Sequence, residues 1–368
     1  MEAESDRPGA ATPHAAARHR GNDVPCDDPL RSASTLLSSR LPSYHGVKRW
    51  VADQQGAVAI IVGLASIGLL GVGAVVVDVG MLYAEKAELQ NGADAAALAV
   101  AEGCAADACG DMWAVAQRLA EANASDGAAQ VDDVALVSQR VVVTVSSATA
   151  AGGSAVRHRL APLLGFDETT VTATAAADWG GPIGGTAVVP LAISWCSFEA
   201  HTGGGVPSSD IEQTITYLAD DGTGCHGPSG QAIPGGFGWL ETDDAECGAT
   251  SSSLDGQTPG KPGVSTPGTC APVDFERIRN DVVLLPIFED AGGTGSSGWF
   301  KIHGYAALRV TGYRFACPSG YRWNDGSSPC GSNTERFIRG YFTQFVTLDD
   351  AFQFGGPDLG ARVVALTR

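Results

Sequence analysis

From Gly56 to Val77 the chain runs for 22 residues without a charge, GAVAIIVGLASIGLLGVGAVVV. As a helix rising 1.5 Å per residue, such a run covers about 33 Å, and the hydrocarbon core of a bilayer is about 30 Å thick. A core helix of a soluble protein is rarely apolar around its whole circumference for so long. The run therefore predicts a transmembrane helix over 56–77. A cleaved signal peptide fits less well: the run is long for one, more than 50 residues precede it, and no small-residue cleavage site closes it. The flanks give an orientation. Lys48 and Arg49 stand just before the run, with Arg40 further back, whereas Asp78, Glu85, Lys86 and Glu88 follow it. The positive-inside rule puts the N-terminus in the cytoplasm and the larger C-terminal part outside, as a single-pass protein of the cell membrane. Trp50 and Tyr83 lie near the two ends, where amphipathic rings favour the interface.

Charge is divided by this segment. Residues 1–53 hold seven acids and seven Lys/Arg, and residues 54–368 hold 34 acids and 16 bases, so the formal charge of −18 belongs to the second part. A surface of that sign repels nucleic acid, and no basic stripe with interleaved aromatics is present, which excludes a nucleic-acid partner.

Cysteines follow the same partition. Cys26 is alone before the membrane run, and eight lie after it: Cys104, Cys109, Cys196, Cys225, Cys247, Cys270, Cys317 and Cys330. An even number on the outer side and one inside is what disulfide formation in an oxidising exterior produces. No CxxC occurs, so a zinc site is not expected. The short loop between Cys104 and Cys109 favours a local bridge, and Cys247 with Cys270 would clip a long polar loop. Six cysteines allow 15 pairings, and spacing does not choose among them.

Residues 1–46, with scattered prolines and no sustained hydrophobic period, read as a disordered cytoplasmic tail. Alanine, leucine and the absence of proline predict one helix from about 57 to 103, and a second over 111–124. The β-branched runs at 140–148 and 169–179 read as strands packing on the outer part of the long helix. Residues 106–180 then form a small α+β domain that continues from the helix. GGPIGG at 180–185 reads as a hinge. Residues 181–368, with strand-like runs such as AVVPLAISW, VVLLPIF, YAALRVTGYRF and ARVVAL between Gly/Ser/Pro loops, read as a mostly β, Cys-rich extracytoplasmic domain. The fold class is thus α+β: a single transmembrane helix extended into a helix-plus-sheet domain, followed by a mostly β, disulfide-containing domain with long loops.

Chemistry is sparse. No GxSxG, HExxH or phosphate-cradling loop is present, and Ser197, His201 and Asp210 have no spacing that supports a triad. The acid pairs Asp220-Asp221, Asp243-Asp244 and Asp349-Asp350 read as solvated turns rather than calcium loops. No catalytic residue, cofactor or metal is expected. Trp195, Trp239, Trp299 and Trp323 offer stacking platforms for a carbohydrate, with anchoring in core or loops as the alternative use.

The segment DQQGAVAIIVGLASIGLLGVGAVVVDVGMLYAEKAELQNGADAAALAVAEG resembles the N-terminal region of TadG-like proteins, in the TadE/TadG group associated with Flp (tight-adherence) pilus assembly. Gly56-Ala57-Val58-Ala59, Val77-Asp78-Val79-Gly80 with Leu82-Tyr83, and Leu89-Gln90-Asn91-Gly92-Ala93-Asp94-Ala95-Ala96-Ala97-Leu98 carry the likeness over roughly residues 47–105. Gly92 stands where Ala is commoner. The Cys-rich part from Thr186 looks like the outer region of actinobacterial members. The resemblance implies a membrane-anchored, non-enzymatic protein of pilus assembly or surface attachment, with the bilayer and other pilus-assembly membrane proteins or pseudopilins as partners. Ile61 stands where related pseudopilins carry Glu after the peptidase cleavage site, which implies an uncut, anchored form. Asp78, Gly80, Tyr83, Gln90, Asn91 and Asp94 are candidate helix-assembly contacts, the alternative being a helix packed on its own domain's sheet. A membrane-tethered adhesin or carbohydrate-binding protein is the second reading and a tethered hydrolase the third.

Overall fold

The computed structural model describes residues 54–148, 156–160, 162, 167–208, 211–217, 224–243, 246–254, 256–326 and 335–367. The expected tail over 1–46, Cys26, Asp210, the Asp220-Asp221 pair and Cys330 lie outside the described residues. The chain divides into two compact units, residues 1–65 and 66–368. In the first, described residues 54–65 are all helical and begin α1.

Among the described residues the helices and strands follow in this order: α1 (Gln54–Ala105), α2 (Met112–Asn123), β1 (Ala129–Val137), β2 (Arg140–Ser147), the short β3 (Val156–Arg157) and β4 (Glu168–Thr169), the long β5 (Thr172–Ala187) and β6 (Leu191–Ser194). Then come α3 (Trp195–Thr202), β7 (Gln213–Thr216), β8 (Phe237–Trp239), β9 (Ala249–Ser252), β10 (Thr258–Pro259) and α4 (Pro272–Glu276). The remaining strands are β11 (Val282–Gly292), β12 (Trp299–Arg314), β13 (Arg322–Trp323), β14 (Phe337–Thr343), β15 (Phe345–Thr347), β16 (Phe352–Gly356) and β17 (Ala361–Thr367).

Two environments divide α1. Large apolar side chains between Val58 and Val77 are 49–74% exposed to solvent, which suits lipid and not water. This is the single helix among the described residues that is long and apolar enough to cross a membrane. Beyond Asp78 one face closes: Leu89, Ala93, Ala96, Ala97, Val100 and Ala101 are at most 2% exposed, at the i, i+3, i+4 spacing of a helical stripe. They pack with Val141, Val143 and Val145 of β2, Ala173, Ala175 and Ala177 of β5, and Val364 of β17. α2 starts on Asp111, whose carboxylate accepts from the Ala114 amide at 3.0 Å. It lies so close to α1 that a Cβ on Gly92 would meet the Ala120 Cα at 3.2 Å. A glycine at this position permits that approach.

The first sheet runs β1-β2-β5-β17-β15, with β16 and β9 also on β5; the second runs β7-β14-β12-β11-β6-β8, with β10 and β13 on β12. β5 carries two sets of neighbours. Its first half pairs with β2 and β17, and its second half with β16 and β9. The expected hinge at 180–185 lies in that second half and is continuous strand. Its glycines serve close approach rather than bending: a Cβ on Gly181 would sit 2.0 Å from the Pro357 carbonyl oxygen, and one on Gly185 would sit 2.3 Å from the Phe352 ring. Strands from both sides of residue 180 therefore share one sheet.

Sheet-to-sheet packing is apolar, with Ala249, Phe352, Ala361 and Val363 of the first against Leu284, Ile302, Tyr305 and Ala307 of the second. Tyr305 is the polar peg in this layer. Its Oη lies 2.9 Å from the Gly185 carbonyl oxygen, 2.7 Å from that of Ser251 and 2.7 Å from Ser251 Oγ. Burial pushes its hydroxyl up to about 12.

Tyr305→Phe leaves buried acceptors on β5 and β9 without a donor and is expected to cost roughly 1–3 kcal/mol in guanidinium unfolding at pH 8. The folded pKa is raised, so the tyrosine's contribution is complete below its ordinary value of 10.0 and declines as pH rises through about 12. The gap between wild type and variant narrows over that window; a gap constant with pH contradicts the assignment.

Candidate functional site

The outer half of α1, residues 78–105, carries the family-like residues, and its two faces have different partners. Facing its own sheet, Gln90 Nε2 donates to Asp94 Oδ1 at 2.8 Å and to the Thr174 carbonyl of β5 at 3.3 Å. Lys86 Nζ donates to the Thr172 carbonyl, and Glu88 Oε2 accepts from the Ser125 amide at 2.8 Å. Asp78 is 4% exposed, and its carboxylate accepts from the Arg159 and Leu160 amides at 3.0 and 3.1 Å. Glu85 has its carboxyl raised by burial first, then by Asp126 and Glu88. Turned away from the sheet are Gly80, Tyr83 and Asn91; Tyr83 is 75% exposed, and a Cβ on Gly80 would meet nothing within 4 Å. Of the six candidate contacts, Asp78, Gln90 and Asp94 thus have partners within the chain, and Gly80, Tyr83 and Asn91 form the outward set.

The far end of α1 is clamped. Arg362 of β17 donates through Nη1 to the Ala105 carbonyl and to Asp107 at 2.8 Å, and through Nε to Asp358 at 3.0 Å. A cation on the last carbonyls complements the negative end of the helix dipole. Sequence reading missed this residue, because the contact joins positions 257 apart.

Disulfides join Cys104 to Cys109, Cys196 to Cys225 and Cys247 to Cys270. Cys317 is disulfide-bonded as well. The second bridge ties α3 to the loop after β7. α3 was not expected, the strand-like run AVVPLAISW reaching only its first residue, Trp195; Ser194 caps it through the Ser197 amide at 3.1 Å, and Gly203, at φ 73°, ends it.

The alternative chemistries find these residues engaged. Ser197 Oγ accepts from the Gly236 amide at 2.7 Å, and the His201 ring bonds the Ser197 carbonyl rather than its hydroxyl. Buried Glu289 pairs with Lys301 at 2.6 Å and His303 at 3.1 Å, while the nearby Ser229 hydroxyl bonds the Glu289 carbonyl. Among the described residues no group of three or more His, Cys, Asp or Glu side chains converges as a metal site would require. Of the four tryptophans, Trp239 is fully buried, Trp195 packs edge-on to His303, and Trp323 packs on Tyr313. Trp299 lines a cleft of about 290 Å³ with Tyr217, Lys261 and Gly292.

These features define a membrane-anchored protein whose spanning helix continues into a disulfide-containing α+β domain. Residues 56–108 match the family described as "Putative Flp pilus-assembly TadE/G-like", so this part of the chain is a TadE/TadG-like domain. No curated protein and no solved structure matches the chain.

Peptide mapping without reductant is expected to recover the Cys104–Cys109, Cys196–Cys225 and Cys247–Cys270 pairs. Replacing Cys247 and Cys270 by serine should lower stability by roughly 2–5 kcal/mol in denaturant unfolding. Free thiols at these positions in the purified protein contradict the pairing.

Proposed function

We propose that this chain is a non-enzymatic, membrane-anchored structural or assembly component of a Flp/Tad-type pilus or surface-attachment system. The N-terminus is cytoplasmic and the Cys-rich part extracytoplasmic. The observation that carries the reading is the division of α1. Its TadE/TadG-like outer half buries one alanine face in its own sheet and leaves Gly80, Tyr83 and Asn91 outward. Small residues beside a polar amide and an aromatic ring suit close helix approach with hydrogen bonding. Basic Lys48 and Arg49 before the span, and disulfides after it, support the orientation. Partners are then other membrane proteins or pseudopilins of the same assembly.

A second reading, a tethered carbohydrate-binding protein, has the Trp299 and Tyr217 cleft in its favour. A half-exposed indole beside glycine-lined backbone offers a stacking face and main-chain hydrogen bonds. Saturable binding on a glycan array, lost in Trp299→Ala, would select it.

Photo-crosslinking residues placed at Tyr83 and Asn91 in cells that make the pilus should trap a membrane partner, while the same residue at exposed Leu254 should not. Deleting the gene should abolish surface pili. Normal piliation in the deletion strain, or identical crosslinks from all three positions, contradicts the assembly role.

A further inference from the structure

Trp299 is the first residue of β12, and its cross-strand neighbours are Gly292 on β11 and Pro259 on β10. Alternation along the strand turns Phe300 inward, where it is 7% exposed and packs on Phe288 with ring centroids 4.8 Å apart. Trp299 lines the cleft of about 290 Å³, its indole against the Gly292 backbone. A Cβ on Gly292 would sit 2.6 Å from that ring, so a side chain there would displace the indole. Another part of the wall is the turn Lys261-Pro262-Gly263. Three bonds hold this turn: the Lys261 amide donates to the Trp239 carbonyl at 2.9 Å, Tyr217 Oη to the Gly263 carbonyl at 3.0 Å, and Lys261 Nζ to the Ser265 carbonyl at 2.8 Å. A wall fixed in this way is preformed, so a ligand does not bear the cost of ordering it.

The polar groups of the cleft are of one kind. Lys261 Nζ spends two of its three donors on neutral carbonyls, those of Ser265 and Pro262, and among the described residues no carboxylate pairs with it. Trp299 Nε1, also a donor, has no partner among the described residues. No Asp or Glu is among the described residues that line the cleft, although the chain from residue 54 onward holds 34 acids and 16 bases. A donor-rich cleft with one unneutralised cation favours a ligand that accepts hydrogen bonds and carries negative charge. At physiological salt the acids elsewhere on the surface are screened beyond about 8 Å, so the cation within the cleft dominates.

We propose that this cleft binds a saccharide bearing a carboxylate, of the hexuronate class. The C–H face of the sugar ring stacks on the Trp299 indole, and the carboxylate accepts from the remaining N–H of Lys261. Tyr217, whose hydroxyl donates to Gly263, is a second ring at the edge of the same cleft. The proposal rests on the saccharide reading of the Trp299 cleft and adds the charge of the ligand to it. It leaves the assembly role of α1 untouched, because the cleft and the outward set Gly80, Tyr83 and Asn91 share no residue.

Isothermal titration calorimetry on the full chain in phosphatidylcholine nanodiscs tests it. The probes are short oligomers of galacturonate, mannuronate and glucuronate, each beside its methyl ester, which keeps the sugar and removes the charge. At least one acid is expected to bind saturably and about tenfold tighter than its ester. Trp299→Ala should abolish binding of both forms. Lys261→Gln should lower the affinity for the acid to that for the ester and leave the ester unchanged, and Lys261→Arg should keep the preference for the acid. Equal affinity for acid and ester overturns the charge preference while the saccharide reading stands. No binding of any acid or ester overturns both. Binding unchanged in Trp299→Ala places the site elsewhere and overturns the cleft. Equal loss of acid and ester in Lys261→Gln makes Lys261 a brace of its turn and overturns its assignment to the carboxylate.

Discussion

The packing of small side chains between α1 and the first sheet decides how the outer part of this protein is built. Ala93, Ala96, Ala97 and Ala101 pack with Val141, Val143 and the alanines of β5, and the fully buried side chains on the helix between Leu89 and Val100 are all alanine. Close approach brings Lys86 and Gln90 within reach of the Thr172 and Thr174 carbonyls, so polar bonds fix the rotation that apolar contact alone leaves free. Arg362 then ties the last turn of α1 to β17. The helix that crosses the bilayer is consequently also a core element of the domain outside it.

From that helix the structure extends through one strand. β5 contacts the α1 face with its first half and supports β9 and β16 with its second, and Tyr305 joins those strands to the second sheet. No flexible joint is needed between residues near the membrane and the Cys-rich strands. A displacement at the membrane would be transmitted through hydrogen-bonded ladders.

Local signals in the sequence were enough for the spanning segment, the length of α1, α2, and the strands at 140–147 and 361–367. Periodicity and propensity act within a few residues and report such elements directly. Three features escaped for physical reasons. β1 carries Asp132-Asp133 and a bulge between Val131 and Asp133, which break the alternation that marks a strand. GGPIGG has the composition of a hinge, yet Gly181 and Gly185 are required because Pro357 and Phe352 crowd them from positions far along the chain. α3 has an apolar beginning that continues the preceding strand, so only its caps betray it. The candidate contacts showed the same limit: the sequence grouped Asp78, Gly80, Tyr83, Gln90, Asn91 and Asp94, and tertiary structure was needed to divide them between the sheet and the outward face.

Hydrogen exchange by mass spectrometry on the full chain in nanodiscs gives the most direct test of the helix as a core element. Amides of residues 93–104 should exchange as slowly as those of β5 at 173–177, because both open only when the shared core opens. Exchange in 93–104 that is markedly faster than in β5, as for a solvated helix fraying on the surface of the domain, would contradict it.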